Sequence, residues 1–150
     1  MTPRIVPFPQ DRYAEVLGEL LAAHDEFWDG RDLRSLHAAM WFRQFGGRAL
    51  LAMDGEVVAG YLCGTVTADR LGYVHLVAVR RPYRGKGIAR ELWATFTEQA
   101  RQAGATRLEA VTSPGNTGSI AFHTGLGMTA EEVANYAGDG RPTILFRRDL

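Results

Sequence analysis

The chain is poor in the features that would tie it to a secreted, membrane or nucleic-acid setting. It has one cysteine, Cys63, so no internal disulfide can form and a reducing cytoplasm is the expected location. Cys63 falls in an apolar strand, where a core role is favoured over a nucleophile's. No apolar run approaches the ~20 residues of a membrane span, and the opening residues do not read as a signal peptide. Formal net charge is zero, which argues against a nucleic-acid surface, although local basic clusters are compatible with it. Lysine is nearly absent: Lys86 stands alone among seventeen basic residues, a bias into which no function is read. Repeats, low-complexity tracts and linkers are missing as well. What remains is a globular composition. Of 150 residues, 46% are hydrophobic, enough for a real core, and the length predicts one domain over residues 1–150.

Periodicity and turn residues predict the elements. Arg4 to Phe8 reads as a strand and residues 11–24 as a helix with a stripe of Val16, Leu17, Leu20 and Leu21. Asp25 to Arg31 reads as a loop and residues 32–45 as a second helix with Leu33, Leu36, Met40 and Trp41 on one side. Strands follow at Arg48–Met53 and Glu56–Thr67, joined by an Asp54-Gly55 turn, and at Leu71–Val79. A helix from Ile88 to about Gln102 buries Ile88, Leu92, Phe96 and Ala100 at i, i+4, i+8 and i+12. A strand at Arg107–Thr112, a short helix at Thr117–Thr124 and a hairpin of 128–136 with 143–149 complete the order.

The junction between the Leu71–Val79 strand and the long helix carries the chemistry. It reads Val79-Arg-Arg-Pro-Tyr-Arg84-Gly85-Lys86-Gly87-Ile88-Ala89. The first amides of a helix lack intrahelical partners and sit at the positive end of its dipole, so they attract anions. Gly85 and Gly87 allow close approach of the backbone. Arg80, Arg81, Arg84, Lys86 and Arg90 add charge nearby. A Walker A loop would need Lys after its glycine and then Ser or Thr, which this run lacks. A dinucleotide fingerprint would need a third glycine where Arg90 stands. Arg84-x-x-Gly87-x-Ala89 satisfies a third pattern, Arg/Gln-x-x-Gly-x-Gly/Ala. An ordinary glycine turn with solvated arginines is the bland alternative.

This run resembles motif A of the GNAT superfamily of N-acetyltransferases, with Pro82 one place later than usual. Asn116-Thr-Gly-Ser-Ile-Ala-Phe122-His123 through Met128 is similar to the family's later motif, Asn-x-x-(Ala/Ser)-x-x-Phe-Tyr. The resemblance spans roughly residues 48–150. It implies the GNAT fold: an α/β mixed sheet of six to seven mostly antiparallel strands, helices on both faces, and a splay between strands 4 and 5. It implies acetyl-coenzyme A as co-substrate and no metal. Backbone groups of Val77, Ala78 and Val79 are expected to bond the pantetheine arm and to polarise the acetyl carbonyl. Amides of Gly85, Lys86, Gly87, Ile88, Ala89 and Arg90, after Arg84, are expected to hold the pyrophosphate, and Asn116 the pantetheine amides.

The resemblance also implies roles for two histidines. The family's usual Tyr, which protonates the departing thiolate, is His123 here. Imidazolium (reference pKa about 6.5) is a stronger acid than phenol (about 10), and either donates within hydrogen-bond reach. The alternative for His123 is packing beside the sulfur. His75 shares a strand face with Tyr73 and is the candidate base, directly or through water; a sheet histidine without chemistry is the alternative. Glu109 lies on the next strand, but the family's usual carboxylate position is Val111. The amine is expected between the first two helices and the last hairpin, where Asp25, Glu26, Asp29 and Asp32 beside Phe27 and Trp28 would attract a cation. The same residues also suit a solvated loop capping a helix at Asp32. A small-molecule amine is the first expectation for the acceptor. A peptide N-terminus or lysine, or a coenzyme-A-binding domain without turnover, are the alternatives. A homodimer is the expected assembly.

Overall fold

The structure, a computed structural model, describes residues 3–150. Seven strands form one sheet: β1 (Arg4–Pro7), β2 (Leu50–Asp54), β3 (Val57–Val66), β4 (Leu71–Val79), β5 (Arg107–Thr112), β6 (Thr129–Val133) and β7 (Thr143–Asp149). Their order across the sheet is β1-β2-β3-β4-β5-β7-β6. Only β4 and β5 pair in parallel. A parallel pair needs a crossover, and the long helix α3 (Ile88–Gln102) supplies it. The other helices are α1 (Tyr13–Ala22), α2 (His24–Trp28) and α4 (Thr117–Gly125).

The core divides by sheet face. On one face α3 buries Ile88, Leu92, Phe96 and Ala100 against Leu62, Val74, Leu108 and Phe146. On the other, Val16, Leu17 and Leu20 of α1 and Phe27 of α2 pack with Phe8, Phe42, Leu51 and Tyr61. Each fully buried large side chain contributes about 1.5–3 kcal/mol. The mixed sheet with helices on both faces follows the expected element order, and the α3 stripe is the one its spacing predicts.

One segment departs from expectation. Residues 25–28 are helical where a loop is predicted, and residues 32–45 are not an α-helix. They fold as short 3-10 turns at Arg34–Leu36 and Ala39–Trp41, followed by a third at Gly46–Arg48. The reason is local competition. In an α-helix the Leu33 carbonyl would accept the His37 backbone N–H. Here it accepts the His37 imidazole Nδ1–H at 2.7 Å, and the His37 backbone donates to Arg34 instead. Ala38 then turns extended, at φ −59° and ψ 138°.

Candidate active site

The parallel ladder between β4 and β5 is short. It runs from Leu71 opposite Arg107 to Val74 opposite Ala110 and stops. Beyond it β4 continues against β3 and β5 against β7, so the two strands part. His75 sits at the fork. Cys63 opposes Leu76 while Gly64 opposes Val74, which makes His75 the extra residue of a β-bulge. A Cβ on Gly64 would run into the Tyr73 carbonyl, so the bulge needs glycine there. The bulge also flips the side-chain alternation: Val74 faces the α3 side, whereas Leu76 and Ala78 face α1 and α2.

The fork leaves β4 with an open edge. Arg80 N–H donates to the Ala59 carbonyl at 2.7 Å. Alternation therefore turns the Ala78 backbone toward β3 and the Val77 and Val79 backbones toward the gap. The expectation for three residues is thus corrected. Val77 presents both backbone groups and Val79 its N–H, because the Val79 carbonyl accepts Arg84 Nε–H at 3.1 Å. Ala78 presents neither; its backbone belongs to the β3 ladder.

At the top of the gap the chain turns into α3 through Gly85 (φ 77°) and Gly87 (φ 82°), both left-handed. Glu91 is the first α3 amide with a backbone acceptor, the Gly87 carbonyl. Among the described residues, the amides of Gly85, Lys86, Gly87, Ile88, Ala89 and Arg90 have no protein partner. They form a row of donors at a helix N-terminus. The neighbouring arginines do not gather round it. Arg80 pairs with Glu26 at 2.8 Å, Arg81 with Asp29 at 3.2 Å and Asp25 at 3.6 Å, and Arg84 with Asp29 at 2.8 Å. Arg84 also donates to the Glu26 and Phe27 carbonyls. Its side chain thus fastens α2 to the loop. Arg84, followed by Arg81, holds the Asp29 carboxyl below the usual carboxylate range. Among the described residues, Lys86 and Arg90 make no ion pair; the Lys86 ammonium lies over the Tyr83 ring at 5.8 Å.

On the far side of the gap, Asn116 caps α4. Its Oδ1 accepts Ser119 N–H at 3.1 Å and its Nδ2 donates to Thr112 Oγ1 at 3.0 Å. One Nδ2 hydrogen remains for another acceptor. His123 is buried and stacks on Phe146 at 4.2 Å, with Trp93 edge-on at 5.8 Å. Its Nδ1–H donates to the Ser119 carbonyl at 2.8 Å. Nε2 is therefore the basic nitrogen of the neutral ring, and burial holds the pKa below the ordinary value.

A cleft of about 740 Å³ follows the fork, lined by β4 from Tyr73 to Val79, by β5 from Ala110 and by Asn116, Ser119, Phe122 and His123. Trp28, Arg31, Leu33, Leu36, Pro142 and Thr143 also line it. Tyr73 and His75 both line it. His75 stacks on Trp41 at 4.0 Å, and its Nε2–H donates to the Leu36 carbonyl at 2.8 Å. Nδ1 is then its free nitrogen, and burial again lowers the pKa.

Periodicity and motif comparison gave no sign of what holds the wall that carries Trp28, Leu33 and Leu36. Trp28 Nε1–H donates to Tyr61 OH at 2.8 Å, and Tyr61 O–H donates to His37 Nε2 at 2.8 Å. His37 Nδ1–H goes to the Leu33 carbonyl, and Leu33 N–H donates to His24 Nε2 at 3.0 Å. His24, His37 and Tyr61 are all buried. The carboxylates expected to draw in a cation are spent elsewhere. Asp25, Glu26 and Asp29 pair with arginines of the β4–α3 loop, and Asp32 pairs with Arg34.

Residues 13–128 match the family model described as the acetyltransferase (GNAT) family. Over 98 residues the chain is 37% identical to L-2,4-diaminobutyric acid acetyltransferase of Streptomyces coelicolor. That match takes in 62% of this chain and 58% of the Streptomyces enzyme, so the chain spans less than two thirds of that relative. The fold is similar to paia N-acetyltransferase from Thermoplasma acidophilum in complex with coenzyme A. There the TM-score is 0.78 at 13% identity, over 100% of both chains. It is also similar to yncA from Salmonella typhimurium with acetyl-CoA. That TM-score is 0.72 at 18% identity, over 100% of this chain and 95% of the other.

Proposed function

The chain belongs to the acetyltransferase (GNAT) family, and on that premise we propose that it transfers an acetyl group from acetyl-coenzyme A to a primary amine of a small molecule. Both substrates are bound together and the amine attacks directly. The observation that carries this reading is the row of unpartnered amides from Gly85 to Arg90 beside the open edge of β4. Those groups suit a diphosphate and an amide-bearing arm, and a cleft of about 740 Å³ accommodates both. The Streptomyces relative is named for a small diamino acid, which supports a small-molecule acceptor.

When bound, the co-substrate supplies an acetyl group activated as a thioester. The chain does the rest. The amide row from Gly85 to Arg90 holds the pyrophosphate. Val77 and Val79 bond the arm as a further strand would, and a β4 N–H donates to the acetyl oxygen as it gains charge. Asn116 offers its remaining hydrogen to the arm. His75, neutral through burial, takes the proton of the attacking amine at Nδ1, directly or through water. His123, whose Nε2 is unprotonated in the neutral ring, takes up a proton there through water as charge develops on the departing sulfur, passes it to the sulfur and ends neutral. An N–C bond forms as the C–S bond breaks, and the products are an amide and coenzyme A. The proposed setting is the cytoplasm, in keeping with one buried, unpaired cysteine.

A thermal-shift series with acetyl-coenzyme A, coenzyme A, ATP and NAD tests the premise. A ligand at a hundred times its Kd adds about 2.7 kcal/mol, several degrees for a chain of this size. Stabilisation by the two coenzyme A species alone is expected, followed by free-thiol release with amines. No stabilisation by them, or a larger one by ATP or NAD, overturns the reading.

A further inference from the structure

The charged lining of the cleft is almost entirely spent. Three residues with fixed charge line it: Asp29, Arg31 and Arg84. Asp29 and Arg84 hold each other at 2.8 Å. Arg31 is exposed and, among the described residues, makes no ion pair. The two histidines that line the cleft, His75 and His123, are shifted toward neutrality by burial. No unpaired carboxylate is left there to receive an ammonium group.

The backbone that carries Arg31 is anchored. Its N–H donates to the Trp28 carbonyl at 3.1 Å, and the Trp28 indole is fixed to Tyr61. Two residues further on, Leu33 is held at both backbone groups, by His24 and by His37. Asp29 closes the turn in a left-handed conformation, φ 55°, kept there by Arg81 and Arg84. A short turn anchored at both ends therefore presents one free guanidinium at the acceptor end, beside the apolar Leu33 and Leu36.

We propose that Arg31 recognises a carboxylate on the acceptor, so that the substrate class is amines carrying a carboxylate, amino acids with a second amino group above all, rather than polyamines. The planar guanidinium pairs bidentately with a carboxylate, and the neighbouring apolar surface covers a short aliphatic arm. This inference rests on the acetyl-transfer reading above.

The test compares matched pairs that differ only by the carboxylate. These are L-2,4-diaminobutyrate with 1,3-diaminopropane, L-ornithine with putrescine, and L-lysine with cadaverine. Thiol release is followed with wild type, Arg31→Met and Arg31→Lys. Wild type is expected to favour at least one amino acid over its diamine. Arg31→Met should raise the KM of that amino acid about tenfold to a hundredfold, the worth of a charge-assisted pair. The diamines should be little affected, Arg31→Lys should recover part of the loss, and stabilisation by acetyl-coenzyme A should be unchanged. A preference for the diamines overturns the proposal, as does thiol release with none of the six. So does an Arg31→Met protein whose defect lies in acetyl-coenzyme A binding, which would make Arg31 a phosphate ligand. If acetyl-coenzyme A fails to stabilise even the wild type, it is the acetyl-transfer reading that falls.

Discussion

The two ends of the cleft are built on different principles. The end around Gly85 to Arg90 is a backbone device: two left-handed glycines, a helix start, and a row of amides that points outward whatever the side chains do. The end around Trp28 to Trp41 is a side-chain device. Its chain is irregular, and it keeps its shape through hydrogen bonds that involve the buried side chains of Tyr61, His37 and His24 and one from His75. In the proposed reaction the first end would hold a phosphate, which suits fixed backbone, and the second an acceptor, whose wall side-chain fastening lets change without disturbing the sheet. The arginines of the β4–α3 loop join the two ends by pairing with Glu26 of α2 and with Asp29 just after it.

The largest expected effect lies between the ends, at His123. His123→Phe keeps the packing on Phe146 and Trp93 and removes both nitrogens. Turnover should fall about a hundredfold or more, and His123→Tyr should recover much of it by restoring a donor. An undiminished kcat for the Phe variant would remove the residue from the chemistry. The next two changes separate the ends directly. Tyr61→Phe strands the Trp28 indole N–H and His37 Nε2 and should cost about 1–3 kcal/mol in chemical denaturation. Its stabilisation by acetyl-coenzyme A should survive. Gly87→Val forces a branched residue to φ 82° and should cost about 1–2 kcal/mol. There the stabilisation by acetyl-coenzyme A should be lost. If both variants lose it together, the two ends are one unit and the contrast fails.

The same contrast explains what the sequence revealed. The strand Leu71–Val79, the helix Ile88–Gln102 and the strand Arg107–Thr112 lie where turn residues and periodicity put them, because local signals decide them. The amide row is implied by Gly85 and Gly87 alone. The segment 32–45 misled because Leu33, Leu36 and Met40 have helical spacing. The deciding bond, His37 Nδ1–H to Leu33, competes with that helix, and its ring is held by Tyr61, distant in sequence. Asp25, Glu26 and Asp29 read as an acidic lure because their partners, Arg80, Arg81 and Arg84, also lie far along the chain. Ala78 was grouped with Val77 and Val79 because the phase of a strand's edges depends on its neighbour and on the His75 bulge, neither of which is visible in the strand itself.

The smallest effect is a graded one, in acid. Burial lowers the pKa of His37, His75 and His123 below the ordinary value of about 6.5. Between the lowered values and about 6.5 the unfolded chain binds more protons than the folded one. Stability therefore rises with pH in that window, and is lost as pH falls through about 6.5 toward the folded-state values. At His37 the loss has a geometric meaning. A charged ring carries N–H on both nitrogens and cannot accept the Tyr61 O–H. His24 and His75 act on it as further positive charge when protonated, and Tyr61 faces it with a phenol that burial keeps neutral. At the other end, backbone amides do not titrate and Asp29 stays ionised well below this window. Acid should therefore loosen the acceptor wall first. Hydrogen exchange at pH 7.5 and 5.5, corrected for intrinsic rates, should show protection lost over Leu33–Phe42 while Leu92–Ala100 of α3 keeps its own. His37→Gln should flatten the difference, since its amide oxygen accepts from Tyr61 and does not titrate. A loss spread evenly over both segments would mean that the wall is held by general packing, and the imidazoles would lose their special place in it.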